Sequence, residues 1–163
     1  MKTLYDNLIK EAVAEYLPTT DWRLLKAQYY QESLLDPNAE SQVGALGIAQ
    51  FMPKTWDEWS VKADFKDVER TDPEASIFTG ALYMRWLIAE WSWPRPDIDR
   101  HCLAMASYNA GIGNILEAQK AAHDSISYSS IANSLPSVTG EHSRETIWYV
   151  KKILGFYNDM VTG

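Results

Sequence analysis

The stretch Tyr29–Pro53, "YYQESLLDPNAESQVGALGIAQFMP", opens as a helix and turns into a loop built from Pro, Asn, Ser and Gly. A single carboxylate, Glu32, stands among apolar and aromatic neighbours at the seam. On a helix, Gln28 and Tyr29 share its face, and Leu25 lies two turns back. A carboxyl projecting from so apolar a surface is desolvated, which favours the neutral acid and raises its pKa. An acid kept protonated near neutral pH can act as a general acid. The competing reading is a helix-capping or solvent-facing glutamate, the commoner place for this residue. In the loop, Gly44 and Gly47 permit backbone conformations closed to other residues and let the main chain approach a ligand closely. The loop lacks the Gly-Lys-Ser/Thr ending of a phosphate loop. No strand precedes it, so it is not a dinucleotide fingerprint.

The flanking sequence predicts helices. Residues 3–16 read as an amphipathic helix with Leu4, Leu8 and Ala12 on one face, ending before Pro18. Thr20 or Asp21 caps a second helix through about Leu34, with Pro37 as its stop. Residues 36–53 are loop, Pro53 opens a short helix through about Ser60, and 61–71 are loop again. "DPEASIFTGALYMRWLIAEW", residues 72–91, is the clearest helix. Asp72 caps it, Pro73 suits its first turn, and Ala75, Phe78, Thr79, Leu82, Trp86 and Ala89 form its stripe. A further helix runs from Asp97 to Asn109 and is broken by Gly111 and Gly113. Shorter helices are expected over 114–123 and 127–134. The last long one covers 143–160, with Ile147, Val150, Leu154 and Tyr157 as its stripe. No stretch alternates as a strand does. The expected fold is mainly α, one domain over residues 1–163, with a small irregular β element near the glycine loop.

Composition narrows the function. A chain of 163 residues suits one domain with a sizeable core. Its net charge of −7, without clustered Lys and Arg, excludes nucleic acid as the expected partner. Seven Trp and nine Tyr fill a core or stack on the flat apolar faces of a sugar or peptide. The lone Cys102, beside Leu103, Ala104 and Met105, reads as a core thiol. His101, His123 and His142 lack zinc-site spacing, so no metal and no cofactor is assigned. The N-terminus carries Asp6, Lys10, Glu11 and Glu15 rather than a signal peptide's apolar run, and no segment is long enough to span a membrane.

A third piece, "AMASYNAGIGNI" at 104–115, sets a Tyr-Asn pair at a helix end before two glycines. It reads as a C-cap, or as a hydroxyl and an amide aimed into a cleft. "ESLLDPNAESQVGALGIAQFMP" (32–53), "ASYNAG" (106–111) and "ETIWYV" (145–150) together resemble the catalytic domain of the soluble lytic murein transglycosylases, with its goose-lysozyme-like fold. They occur in the family's order and cover most of the chain. The resemblance implies that Glu32 is the catalytic acid. It also implies that Ser41, Gln50, Met52, Tyr108, Asn109, Glu145 and Tyr149 line a groove for peptidoglycan glycan strands. The chain departs from the commonest pattern at Ile48-Ala49, and in the polar "SVTGEHSR" that separates Leu135-Pro136 from Glu145. "WSWPRP" lies outside the shared motifs; its Trp91 and Trp93 are expected in the core, a lid on the groove being the other reading.

Most glycosidases use two carboxyl groups. The resemblance implies a route that needs one. Glu32 protonates the bond between N-acetylmuramic acid and N-acetylglucosamine, then deprotonates the muramic C6 hydroxyl, which closes a 1,6-anhydro ring. Two alternatives remain open here: a hydrolytic muramidase with Asp36 or Glu40 as base, and a non-catalytic wall-binding protein. The expected protein is a monomer without stable membrane insertion. It is made in the cytoplasm and acts on the cell wall after release or delivery of the bacteriophage type.

Overall fold

The computed structural model describes residues 2–163, which hold nine helices. The chain divides into two compact units, Met1–Arg85 with Ile153–Gly163, and Trp86–Lys152. The mainly α expectation holds. The small β element is also present, as two isolated antiparallel bridges, Glu40 with Leu46 and Leu46 with Phe51.

The first unit begins with α1 (Asp6–Tyr16) packed on α2 (Trp22–Ser33). The buried face of α1 is Ile9, Ala12 and Val13 rather than the Leu4 stripe; Leu4 precedes the helix and is exposed. The buried ammonium of Lys26 on α2 meets the Asp6 carboxylate of α1 at 2.6 Å. Asp21 caps α2 as expected, accepting from the Arg23 N–H at 3.0 Å, and the Arg23 guanidinium closes on the same carboxylate at 2.6 Å. Those bonds to Arg23 hold the Asp21 carboxyl below the usual carboxylate range. Late in the chain, Tyr157 donates to Asp21 at 3.3 Å, and Phe156 packs edge-on against Tyr30 with centroids 4.9 Å apart.

Proline is not what stops α2. The helix ends at Ser33, four residues before Pro37, because Leu34 and then Leu35 take left-handed backbone conformations (φ 55° and 59°). The Leu34 N–H caps the Tyr30 carbonyl at 2.9 Å. This reversal buries Leu35 completely and leaves Leu34 exposed. Burial of one leucine thus offsets a conformation that Cβ-bearing residues avoid.

After the loop come α3 (Pro53–Lys62), with proline in its first turn, and α4 (Pro73–Glu90), capped by Asp72, which accepts from the Ala75 N–H at 2.8 Å. The predicted stripe on α4 holds at Ala75 and Thr79, which are fully buried, and fails at Ala89, which is exposed. Ile77, Ala81, Met84 and Leu87, outside the stripe, are buried as well. Apolar residues surround this helix, and one stripe cannot describe a helix buried on several sides. Tyr29 of α2 is fully buried against it, donating its hydroxyl to the Ile77 carbonyl at 2.7 Å. Gly80 makes room: a Cβ there would lie 2.5 Å from the Tyr29 hydroxyl and 3.1 Å from Ala49 Cβ.

The second unit contains α5 (Asp97–Ala110), α6 (Ile112–Ala121), α7 (Tyr128–Ser134) and the four-residue α8 (Pro136–Thr139). The long α9 (His142–Thr162) has residues in both units. Helix α6 packs on α5, α7 and α8. Leu103, Met105, Ile115, Ile131 and Leu135 are buried. Gly111 (φ 84°) does separate α5 from α6, but Gly113 lies inside α6 and breaks nothing. The buried positions of α9 are Ser143, Thr146, Tyr149, Val150 and Ile153, of which Val150 lies on the predicted stripe. The two tryptophans of "WSWPRP" part company. Trp91 is interior, its indole N–H donating to Ser107 at 3.1 Å, while Trp93 is 56% exposed.

Two substitutions test this packing. Leu34→Gly is expected to leave the thermal midpoint unchanged or to raise it by up to about 2–4 °C. Leu35→Gly, at nearly the same φ, should lower it by at least about 5 °C through the cavity it opens. Gly80→Ala should cost about 1–3 kcal/mol by overpacking. Tyr29→Phe in the same chain should recover part of that loss in a denaturant melt, since it removes the atom nearest the new methyl.

Candidate active site

Glu32 stands on the last turn of α2, half-buried. The three neighbours that share its face, Leu25, Gln28 and Tyr29, are all buried. Burial, and secondarily the charge of Glu32, holds the Tyr29 phenol well above its usual pKa. Tyr29 therefore stays neutral beside the carboxylate. The following residue, Ser33, donates to the Ile48 carbonyl at 2.9 Å and so ties the end of α2 to the glycine loop. The nearby acids differ from Glu32. Asp36 and Glu40 are both exposed, and Asp36 accepts from the Asn38 N–H at 2.9 Å.

The loop is held in shape from within. Ser41 accepts from the Ala45 N–H at 3.0 Å through its hydroxyl and donates its own N–H to the Ala45 carbonyl at 2.9 Å. Gln50 sits in the left-handed region (φ 52°), and its amide nitrogen donates to the Ala39 and Gly47 carbonyls at 2.8 and 2.9 Å. That cross-link leaves the amide oxygen of Gln50 as an acceptor. Gly47 (φ 86°) is required, since a Cβ there would lie 2.1 Å from the Arg70 carbonyl oxygen. Met52, after the loop, is 41% exposed, an apolar surface beside the proline that starts α3.

Arg70 escaped the sequence reading. One nitrogen of its guanidinium donates to the Gly44 carbonyl at 2.8 Å and to the Phe51 carbonyl at 2.7 Å, pinning both arms of the loop. It lies in a polar stretch without periodicity, so its sequence context carried no sign of this role.

The second unit supplies the other expected residues. Tyr108 and Asn109 are half-buried in the last turn of α5, and the Gly111 N–H caps that helix on the Ser107 carbonyl at 2.9 Å. The C-cap reading of Gly111 is therefore met. The Asn109 side-chain oxygen accepts from the buried Thr146 hydroxyl at 2.8 Å, joining the Tyr-Asn and Glu-Thr motifs. Asn109 and the exposed Glu145 line one pocket of about 430 Å³. Tyr149, one turn along α9, is instead interior at 4% exposure. Part of the unexpected wall of this pocket is α8, formed by the "SVTGEHSR" departure.

Among the described residues, no group of three His, Cys, Asp or Glu side chains is placed to hold a metal ion. Burial pushes the Cys102 thiol up to about 12, which leaves no thiolate for nucleophilic chemistry at neutral pH. Among the same residues, no helix is long and apolar enough to cross a membrane.

The sequence profile of the family described as "Transglycosylase SLT domain" matches residues 8–131. The chain is 32% identical over 123 residues to "Membrane-bound lytic murein transglycosylase F" of Haemophilus influenzae (strain PittEE), a match covering 71% of this chain and 24% of that protein. It is 34% identical over 143 residues to the protein of the same name from Maricaulis maris (strain MCS10), covering 85% and 30%. The chain thus spans less than a third of the length of these relatives. Among solved structures, it resembles the 70 kDa soluble lytic transglycosylase of Escherichia coli with a TM-score of 0.73, at 24% identity, over 99% of this chain and 25% of that one. An inactive mutant of lytic transglycosylase Slt from Pseudomonas aeruginosa gives 0.75 at 22% identity, over 98% and 25%. At such identities these likenesses show the fold, which is mainly α and lysozyme-like.

Loss of the Arg70 clamp should loosen the loop selectively. In Arg70→Ala, amide hydrogen exchange over residues 44–51 is expected to speed up roughly tenfold or more, the worth of a charged hydrogen-bond donor. The amides of α4 and α5 should exchange as before.

Proposed function

The chain belongs to the transglycosylase SLT domain family, and from that premise we propose that it is a peptidoglycan lytic transglycosylase, with residues 1–163 serving as one catalytic domain and Glu32 as its catalytic acid and base. The observation that carries the assignment is the contrast between Glu32 and the two carboxylates that follow it in the loop. Glu32 is half-buried on a helix face of buried neighbours, whereas Asp36 and Glu40 are exposed. One partly desolvated carboxyl at this seam suits a reaction in which the substrate brings its own nucleophile.

The proposed reaction breaks the β-1,4 bond between N-acetylmuramic acid and N-acetylglucosamine. Glu32, as the neutral acid, gives its proton to the bridging oxygen as the bond from the anomeric carbon to that oxygen breaks. The acetamido group of the muramic residue assists departure. Glu32, now a carboxylate, takes the proton of the C6 hydroxyl, and that oxygen bonds to the anomeric carbon. The product ends in a 1,6-anhydro ring, Glu32 regains its proton, and no water is consumed. Ser41, Gln50, Tyr108 and Asn109 position the sugars, and Met52 supplies apolar wall. Glu145 completes the substrate-binding set, and Tyr149, interior on the same helix, supports it from behind. The protein acts on the cell wall, reached by release or delivery of the bacteriophage type, as an endolysin does.

Glu32→Gln keeps the shape of the side chain and removes the titrating group. It is expected to lower clearing of wall suspensions by at least about a hundredfold while glycan binding persists. Mass spectrometry of wild-type digests should find products lighter by one water than those of hydrolysis. Free reducing ends would make the protein a muramidase, and undiminished lysis by Glu32→Gln would remove Glu32 from the chemistry.

A further inference from the structure

The first unit holds a pocket of its own, of about 510 Å³, between α3 and residues 66–70. Its two walls are fastened together, since the Trp56 indole N–H of α3 donates to the Val68 carbonyl at 3.1 Å. None of its residues belongs to the proposed glycan-binding set. Two polar groups that line it have bonding capacity left over. Ser60 is 3% exposed, yet among the described residues its hydroxyl has no hydrogen-bond partner. Arg70 is half-buried and held by one terminal nitrogen, Nη1, which donates to the Gly44 and Phe51 carbonyls. Its Nε and Nη2, the side-on edge of the guanidinium, have no partner among the described residues. A buried hydroxyl without a partner costs free energy. A guanidinium edge with two unused donors matches the two oxygens of a carboxylate.

The surrounding charges decide which kind of carboxylate fits. Asp57, Asp67, Glu69 and Lys66 also line the pocket, and none of them is in an ion pair among the described residues. Three carboxylates against two cations leave the wall slightly negative, which disfavours a dianion such as phosphate. A ligand that brings an ammonium with its carboxylate is neutral overall and meets both signs. We propose that this pocket binds an α-amino-acid head group, with the carboxylate on Arg70 and Ser60 and the ammonium among Asp57, Asp67 and Glu69. A free amino acid and a peptide side chain can both carry that group. The site is tied to the glycine loop through Arg70, because a ligand on one edge of the guanidinium steadies the nitrogen that pins Gly44 and Phe51. Binding and loop order are therefore reciprocal. The proposal does not depend on Glu32 or on the reaction assigned to it.

The test uses the full chain and alanine as the probe, followed by NMR on the backbone amides of Ser60 and residues 66–70. Alaninamide lacks the carboxylate, N-acetylalanine lacks the ammonium, and inorganic phosphate is an anion alone. Alanine is expected to shift these amides and to bind at least about tenfold more tightly than any of the three. Ser60→Ala should weaken alanine about fivefold. Arg70→Lys, which keeps the charge and loses the fork, should weaken it at least about tenfold. Saturation with alanine should slow amide exchange over residues 44–51 about threefold. A muramyl tripeptide ending in diaminopimelate separates the sources. Tighter binding than alanine identifies a peptide carried by the glycan, equal or weaker binding a free amino acid, and either outcome supports the site. If Arg70→Lys fails to fold, Ser60→Ala and the three analogues decide, since none of them alters the loop clamp. No shift with alanine, equal binding of any analogue, full affinity in Ser60→Ala, or unchanged exchange at saturation would overturn the proposal. Each of those failures leaves the Glu32 assignment standing, because no residue of this pocket takes part in it.

Discussion

The first unit depends on the fit of Tyr29 into the space where Gly80 has no side chain. A buried phenol must satisfy its hydroxyl, and here the Ile77 carbonyl takes it at 2.7 Å. That bond draws α2 so close to α4 that even a methyl group at position 80 would collide. Glu32 lies one helical turn beyond Tyr29, so this contact helps fix its position. The same closeness brings Ala49 against Gly80, and the Ala49 N–H donates to Ser76 of α4 at 3.0 Å. Helix and glycine loop are therefore referenced to one surface. The proton transfers proposed for Glu32 depend steeply on distance, and such fixity serves them.

The loop shows a second economy. Beside its main-chain turns, five bonds run from side chains to main-chain carbonyls: Gln50 to Ala39 and Gly47, Arg70 to Gly44 and Phe51, Ser33 to Ile48. A segment with only two isolated β-bridges leaves many carbonyls unpaired, and each buried one needs a donor. Polar side chains fill that need and do the work that a ladder does in a sheet. Gln50 illustrates the consequence for the site. Its nitrogen is engaged structurally, so it has an oxygen, and not a free amide, to offer a sugar.

Much of this was legible in the sequence, and the gaps have physical causes. Caps are local, so Asp21, Asp72 and the prolines of α3 and α4 announced their helices within a few residues. Buried faces are not local. The stripes read for α1, α4 and α9 were met in part, at Ala12, at Ala75 and Thr79, and at Val150, and missed the rest because small residues such as Ala81, Ser143 and Thr146 occupy the interior as readily as large ones. The end of α2 was placed correctly but for the wrong reason, because proline is a visible stop, whereas two leucines in left-handed geometry follow only from the burial of Leu35. Motif context singled out Glu32, Gln50 and Asn109 as candidates. It gave no sign of Arg70, whose partners Gly44 and Phe51 lie far along the chain.

The division of the chain carries a consequence for how the protein comes into being. The first unit is discontinuous: its last part, Ile153–Gly163, is synthesised after the whole of the second unit. Tyr157 reaches back 136 positions to Asp21, the cap of the helix that bears Glu32, and Phe156 closes on Tyr30 of the same helix. Contacts so distant in sequence form late, after the entropy of closing a long loop has been met. A growing chain can assemble α5 to α8 while still attached to the ribosome. The helix that carries Glu32 gains Phe156 and Tyr157 as neighbours only after the whole second unit has been made.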